Sequence, residues 1–121
     1  MDQTIDVARG FMAMMSEGRF KEAGESYWAA NVASVEPADL PGGIPAIVRG
    51  IEATREKARL WFSVSSIADL KMEGPFVNGD QFALLMDMVI VNRTTGERQP
   101  FKESALFTVR DGRITEERYF Y

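Results

Sequence analysis

The chain has 121 residues, 45% hydrophobic and 11% aromatic, with a formal charge of −4 and neither cysteine nor histidine. That length and composition fit one domain spanning residues 1–121, and the scattered Lys and Arg residues form no phosphate-tracking run, so nucleic acid is not an expected partner. Without Cys or His there are no disulfides, thiolate nucleophiles, histidine-bound metals or His-based triads, which leaves carboxylate, phenol, amine and hydroxyl chemistry.

The N-terminus, Met1-Asp2-Gln3-Thr4-Ile5-Asp6, has no basic region followed by an apolar stretch. No apolar run approaches the ~20 residues that span a bilayer, so a soluble cytoplasmic protein with no membrane contact is expected. Ile5, Ala8, Met12 and Met15, widened by Phe11, recur at helical spacing and predict a helix from Asp2 to about Glu17, ended by Gly18. A second helix carries Phe20, Ala23 and Tyr27. Val32 to Glu36 alternates as a short strand stopped by Pro37. Residues 37–45, Pro-Ala-Asp-Leu-Pro-Gly-Gly-Ile-Pro, suit neither helix nor sheet ladder and predict a loop of the kind that serves as a lid or binding segment. After Gly50 a third helix places Ile51, Thr54, Ala58 and Trp61 on one face.

The remainder predicts four strands, at about 65–77, 81–92, 99–110 and 113–121. Asn78-Gly79-Asp80, Thr94-Thr95-Gly96-Glu97 and Asp111-Gly112 supply the turns. Helices first and an antiparallel meander after them give an α+β architecture. Two-residue turns at Asp111-Gly112 and Thr95-Gly96 would pair Arg110 with Arg113, Leu106 with Glu117, Ser104 with Tyr119 and Asp87 with Ser104; a bulge or longer loop would set Asp87 opposite Glu103. In the first register Leu85, Asp87, Val89, Ser104, Leu106, Glu117, Tyr119 and Tyr121 share one face. Phe82, Leu84, Met86, Met88, Ile90, Phe101, Ala105, Phe107, Val109, Ile114 and Phe120 share the other, with Glu103, Glu116 and Arg118. Both faces are rich in large apolar groups and the helices can cover one, so a homodimer through the sheet is expected.

The order helix, helix, Val35-Glu36-Pro37, loop, Gly50-Ile51-Glu52-Ala53 helix and a meander ending Val109-Arg110-Asp111-Gly112-Arg113-Ile114-Thr115-Glu116-Glu117-Arg118-Tyr119-Phe120-Tyr121 resembles the SnoaL-like proteins of the nuclear transport factor 2-like superfamily. The resemblance implies a cone-shaped, curved antiparallel sheet packed against three N-terminal helices and enclosing a pocket. Polyketide cyclases, ketosteroid isomerases and limonene epoxide hydrolases are among the relatives it implies, together with pockets of no assigned activity. In the isomerases the base is a carboxylate just before the proline that ends the first strand, where Glu36 stands. Their oxyanion donors fall on Phe11 or Met12 and on Ser104 or Leu106, so that set is broken. The epoxide hydrolase pattern places an aspartate at Asp87, but Leu85 and Tyr119 stand where its arginine and second aspartate belong. Neither chemistry transfers.

Asp87 lies in the apolar run Phe82-Ala83-Leu84-Leu85-Met86-Asp87-Met88-Val89, where a charge is costly unless paired; in a dry pocket it would become an acid or base. A structural carboxylate bonded to Ser104 or Tyr119, or paired with Arg118 or a lysine, is an equal reading. Glu36, Asp87 and Tyr119 are thus the candidate catalytic residues. Met12, Tyr27, Trp28, Trp61, Leu85, Ser104, Leu106, Glu117 and Tyr121 are candidate ligand contacts, although aromatic and Met side chains serve more often as core. No metal or cofactor is expected. The expected ligand is small, organic and largely apolar, and the residues leave open a cofactor-independent isomerase, cyclase, dehydratase or hydrolase, a carrier pocket, or a dimeric interaction domain. By apolarity the Phe107, Val109, Ile114 face suits the core; by resemblance the Asp87, Tyr119 face lines the pocket, and the second is taken as the expectation.

Overall fold

Gly18, with φ +76, breaks the first helical periodicity from the second, and the turn residues after Val64 commit the rest of the chain to strands. The structure, a computed structural model, describes residues 3–121. Its elements are α1 (Gln3–Ser16), α2 (Phe20–Tyr27), β1 (Trp28–Val35), β2 (Ile47–Arg49), α3 (Ile51–Val64), β3 (Ser65–Asn78), β4 (Gln81–Asn92), β5 (Arg98–Arg110) and β6 (Arg113–Phe120). The expected helix start at Asp2 lies outside the described residues.

The four-strand meander forms as the turns dictate. One sheet runs β2-β1-β6-β5-β4-β3. The first strand begins at Trp28 rather than Val32 and pairs in parallel with β6, so the sheet is mixed, not purely antiparallel. The three-residue β2 is too short to show alternation in the sequence and adds an antiparallel edge. Register shifts within β3 and between β1 and β6 bend the strands, and the unclosed sheet curls around the helices. Among the described residues, no helix is long and apolar enough to cross a membrane.

Two register details decide which side chains face inward. Between β4 and β5, Asn92 accepts hydrogen bonds from the amides of Thr94 and Thr95 and opens a five-residue connection over 93–97. Asp87 therefore pairs with Lys102, two residues from the expected Ser104, a shift that keeps its face. Between β5 and β6 the expected Arg110–Arg113 pair forms, but Thr115 is extruded as a bulge. Beyond it Glu117 pairs with Phe107, and Ala105 with Tyr119, instead of Leu106 and Ser104. A shift of one reverses the face. Glu117 and Tyr119 turn inward with Phe107, Val109 and Ile114, whereas Glu116, Arg118 and Phe120, expected on that inner face, turn outward with Asp87, Leu85, Ser104 and Leu106.

The core follows apolarity. Phe82, Leu84, Phe107 and Ile114 are fully buried, and the Phe11 ring packs 6.3 Å from Phe82 and 5.0 Å from Phe107. Each such side chain contributes ~1.5–3 kcal/mol by leaving water. Helix α1 buries Thr4, Val7, Ala8 and Phe11, one step round from the expected stripe, with Met12 and Met15 flanking it. In α3 the inward stripe includes Thr54 and, unexpectedly, Lys57.

Candidate functional site

The inner sheet face is wider than α1 can cover, and a cavity of about 1150 Å³ remains between it and helices α2 and α3. Ligand sites commonly measure ~300–1,000 Å³, so the space is ample for a molecule of several rings. Its walls are mostly apolar: Trp28, Ile67, Met86, Met88, Ile90 and Phe101 from the sheet, Phe20, Trp61 and Phe62 from the helices. Leu40 and Pro41 come from the loop that the sequence marks as a lid or binding segment. At the helical rim the Phe20 and Phe62 rings stack at 5.5 Å, and Arg55 donates to both carboxylate oxygens of Glu25 at 2.7 Å.

The polar groups gather at one end. Lys57, only 9% exposed, reaches from α3 to the end of β1, where its ammonium donates to Glu36 Oε2 and to Ser34 Oγ, both at 2.7 Å. The Ser34 hydroxyl donates in turn to Glu117 Oε2 at 2.7 Å, and Trp28 Nε1 donates to Glu117 Oε1 at 2.8 Å. The Tyr121 hydroxyl donates to Glu36 Oε1 at 2.7 Å. The Lys57 ammonium also lies 5.3 Å from the centre of the Tyr119 ring. A buried charge survives only when paired and hydrogen-bonded, and each of these groups is.

Glu103 is the exception. It projects from β5 into the same cavity and, among the described residues, makes no side-chain hydrogen bond or ion pair. Burial, then the negative charge of Glu36, push its pKa up to about 7, with Glu117 adding to the rise and Lys57 opposing it. Tyr119 is raised well above a free phenol by burial and by the carboxylates of Glu117, Glu103 and Glu36, so it is a neutral donor. Burial raises Tyr121 as well, together with its hydrogen bond to Glu36. Chemically, the site offers one carboxyl poised between its two protonation states, a phenol beside it, and an ion-paired scaffold that holds the wall in shape. No group of three Asp or Glu side chains is arranged to hold a metal among the described residues.

Of the residues singled out in the sequence, Glu36, Trp28, Trp61, Glu117, Tyr119 and Tyr121 line this cavity together. Tyr27 lies at the α1–α2 contact, edge-on to Phe11, and Met12 packs on the core; neither reaches the cavity wall. Leu85, Asp87, Ser104 and Leu106 stand on the outer sheet face, and the Asp87 side chain is 55% exposed, 4.0 Å from the Lys102 ammonium. Ser34, Lys57 and Glu103 were not singled out. Each carried a signal: Ser34 shares the parity of Glu36, Lys57 interrupts the apolar stripe of α3, and Glu103 stands between Phe101 and Ala105 on the apolar face.

The sequence matches the SnoaL-like domain over residues 3–121. Among solved structures, a protein described as a SnoaL-like polyketide cyclase from Mesorhizobium loti is 38% identical, with 97% of each chain covered and a TM-score of 0.87. TerC, co-crystallised with polyporic acid, shares 17% identity over 98% of this chain and 91% of its own, at a TM-score of 0.80. A protein of ketosteroid isomerase-like fold from Catenulispora acidiphila, in complex with trimethylamine, shares 17% identity over 82% of this chain and 72% of its own, at 0.64. None of the curated proteins matches the chain. Matched from residue 3 to residue 121 and sharing its fold with these neighbours, the chain belongs to the SnoaL-like family.

Proposed function

We propose that the cavity binds a small, largely apolar organic molecule and that Glu103 exchanges a proton with it, with Tyr119 as neutral hydrogen-bond donor and no cofactor. The observation that carries this reading is the unpartnered Glu103 carboxyl at the polar end of an otherwise apolar cavity, its pKa pushed up to about 7. A general acid–base group works best when both of its forms are populated at the working pH. Glu36, tied to Lys57 and Tyr121, serves as scaffold in this reading, and the exposed Asp87 takes no part. Proton transfer of this kind underlies isomerase, cyclase, dehydratase and hydrolase-type reactions alike. The 38% identity to a protein described as a polyketide cyclase supports the cyclase-like end of that range. Neighbours of this fold hold an acid in one case and an amine in another, so the choice of ligand falls to this chain's own residues.

Deuterium exchange into a panel of apolar enolisable ketones, followed by proton NMR in heavy water, tests the reading. General acid–base groups contribute ~10²–10⁴-fold, so Glu103→Gln should slow exchange by about 100-fold or more. Equal rates in both proteins would overturn the assignment of Glu103. Saturable binding with no exchange in either would mark the cavity as a carrier site.

We also propose that a second copy covers the outer sheet face. Leu85 and Phe120 are 40% and 50% exposed there, surrounded by Lys71, Lys102 and Arg118 and by Glu73, Asp87 and Glu116. Equal numbers of each sign around an apolar centre suit a self-complementary contact better than a partner of one charge. Light scattering at micromolar concentration should give twice the chain mass, and Leu85→Glu should return the monomer; a monomeric wild type refutes it.

A further inference from the structure

The polar end of the cavity already holds one ammonium group, and the arrangement around it indicates what else would be held there. Lys57 Nζ sits between two kinds of partner: carboxylate and hydroxyl oxygens, from Glu36 and Ser34, and the face of the Tyr119 ring. Carboxylate on one side and aromatic face on the other is the environment in which a desolvated cation is most strongly attracted. The same end carries three carboxylates, Glu36, Glu103 and Glu117, against that single lysine. Two of the three are satisfied: Glu36 by Lys57 and Tyr121, Glu117 by Ser34 and Trp28. Glu103 is left facing open cavity, two residues along β5 from the Phe101 ring, which itself packs edge-on against Tyr121 at 5.0 Å.

The cations nearer the mouth do not supply the missing charge. Arg55 is held by Glu25 and Glu52, Arg59 by Glu56, and Lys21, which also lines the cavity, acts on Glu25 at the helical rim rather than on the carboxylates of the polar end. An anionic ligand at the polar end would meet a surplus of negative charge in a low-dielectric wall, whereas a cationic one would complete the pattern that Lys57 begins.

We propose that the ligand of this cavity is an apolar skeleton ending in an amine or quaternary ammonium group, which pairs with Glu103 beside the Phe101 and Tyr121 rings. The proposal rests on the cavity being a ligand site and adds the chemical class of its occupant. The groups that face Glu103 are Glu36 at the end of β1, Lys57 on α3, and Glu117, Tyr119 and Tyr121 at the C-terminal end of the sheet. The cation pairs with the ionised form of Glu103, so binding and loss of its proton are linked.

Benzyltrimethylammonium, its neutral isostere neopentylbenzene and the anion benzylsulfonate, followed by quenching of Trp28 and Trp61 fluorescence, separate the possibilities. At pH 8 the cation should bind at least about tenfold more tightly than the neutral isostere. Its affinity should fall about thirtyfold between pH 8 and pH 5.5 as Glu103 takes up its proton, while that of the neutral probe stays level. Glu103→Gln should lose both the preference and the pH dependence yet keep the neutral probe. Equal or tighter binding of the neutral or anionic probe at pH 8 overturns the inference and leaves the apolar-ligand reading in place. Failure of all three probes to bind overturns both.

Discussion

Glutamine at position 103 should make the protein more stable by about 2 kcal/mol at pH 8 and less stable by about 1 kcal/mol at pH 4. The pKa of Glu103 rises from 4.5 to about 7 on folding, because burial and the charge of Glu36 disfavour the ionised form. A group whose folded pKa is raised costs nothing below its unfolded pKa, where both states hold the proton. The cost grows as pH rises from about 4.5 and is complete above about 7, where it amounts to about 3 kcal/mol. An amide at the same place carries no such titration, though its own desolvation takes back about 1 kcal/mol of the gain. For a domain of this size the difference corresponds to about 8 °C in Tm. The wild type should therefore lose stability between pH 4.5 and 7 while the variant holds level across that window. Chemical denaturation at both pH values checks it, and a variant no more stable than wild type at pH 8 would show that Glu103 is not desolvated. The pairing of higher stability with lost proton exchange is what a strained functional carboxyl requires and a structural one does not.

The same residue shows where reading the sequence succeeds and where it stops. The turns Asn78-Gly79-Asp80 and Asp111-Gly112, together with long apolar strands, place the meander almost to the residue, because hairpin chemistry is local. The parallel pairing of β1 with β6 joins segments some eighty residues apart and leaves no local mark. The bulge at Thr115 is subtler still: one extruded residue reverses Glu117 and Tyr119 from one face of the sheet to the other. The expected face put Asp87 and Tyr119 together; the bulge separates them, and Tyr119 joins Glu103 instead. Apolarity alone had the better signal for the core, since Phe107, Val109 and Ile114 are buried where burial is most favourable. Glu36 was legible through the strand-ending Pro37. Lys57 was legible only as an interruption of the apolar stripe of α3; that interruption does not say the lysine turns inward until its partner is known.

That partner makes Lys57 the residue whose loss should do most harm. Replacing it with methionine keeps much of the aliphatic volume but strands Glu36 in a site where both side chains are 9% exposed. Breaking a buried pair by removing one member typically costs ~3–5 kcal/mol, chiefly the desolvation of the charge left behind. Lys57→Met should therefore lose about 3 kcal/mol or more at pH 7, read as a shift in the denaturant midpoint. Glu36→Gln combined with Lys57→Met should recover part of that loss, because the orphaned charge is removed along with its partner; the cycle should give a coupling of about 1–3 kcal/mol. A second readout separates the electrostatic role from packing. Lys57 is the charge that opposes the rise in the Glu103 pKa, so its removal should carry that carboxyl above 7 by carbon-13 NMR, and the pH profile of proton exchange should move alkaline with it. A destabilised variant with an unmoved Glu103 would confine Lys57 to the scaffold. Movement of both would make it the positioning residue that sets the pH at which this cavity works.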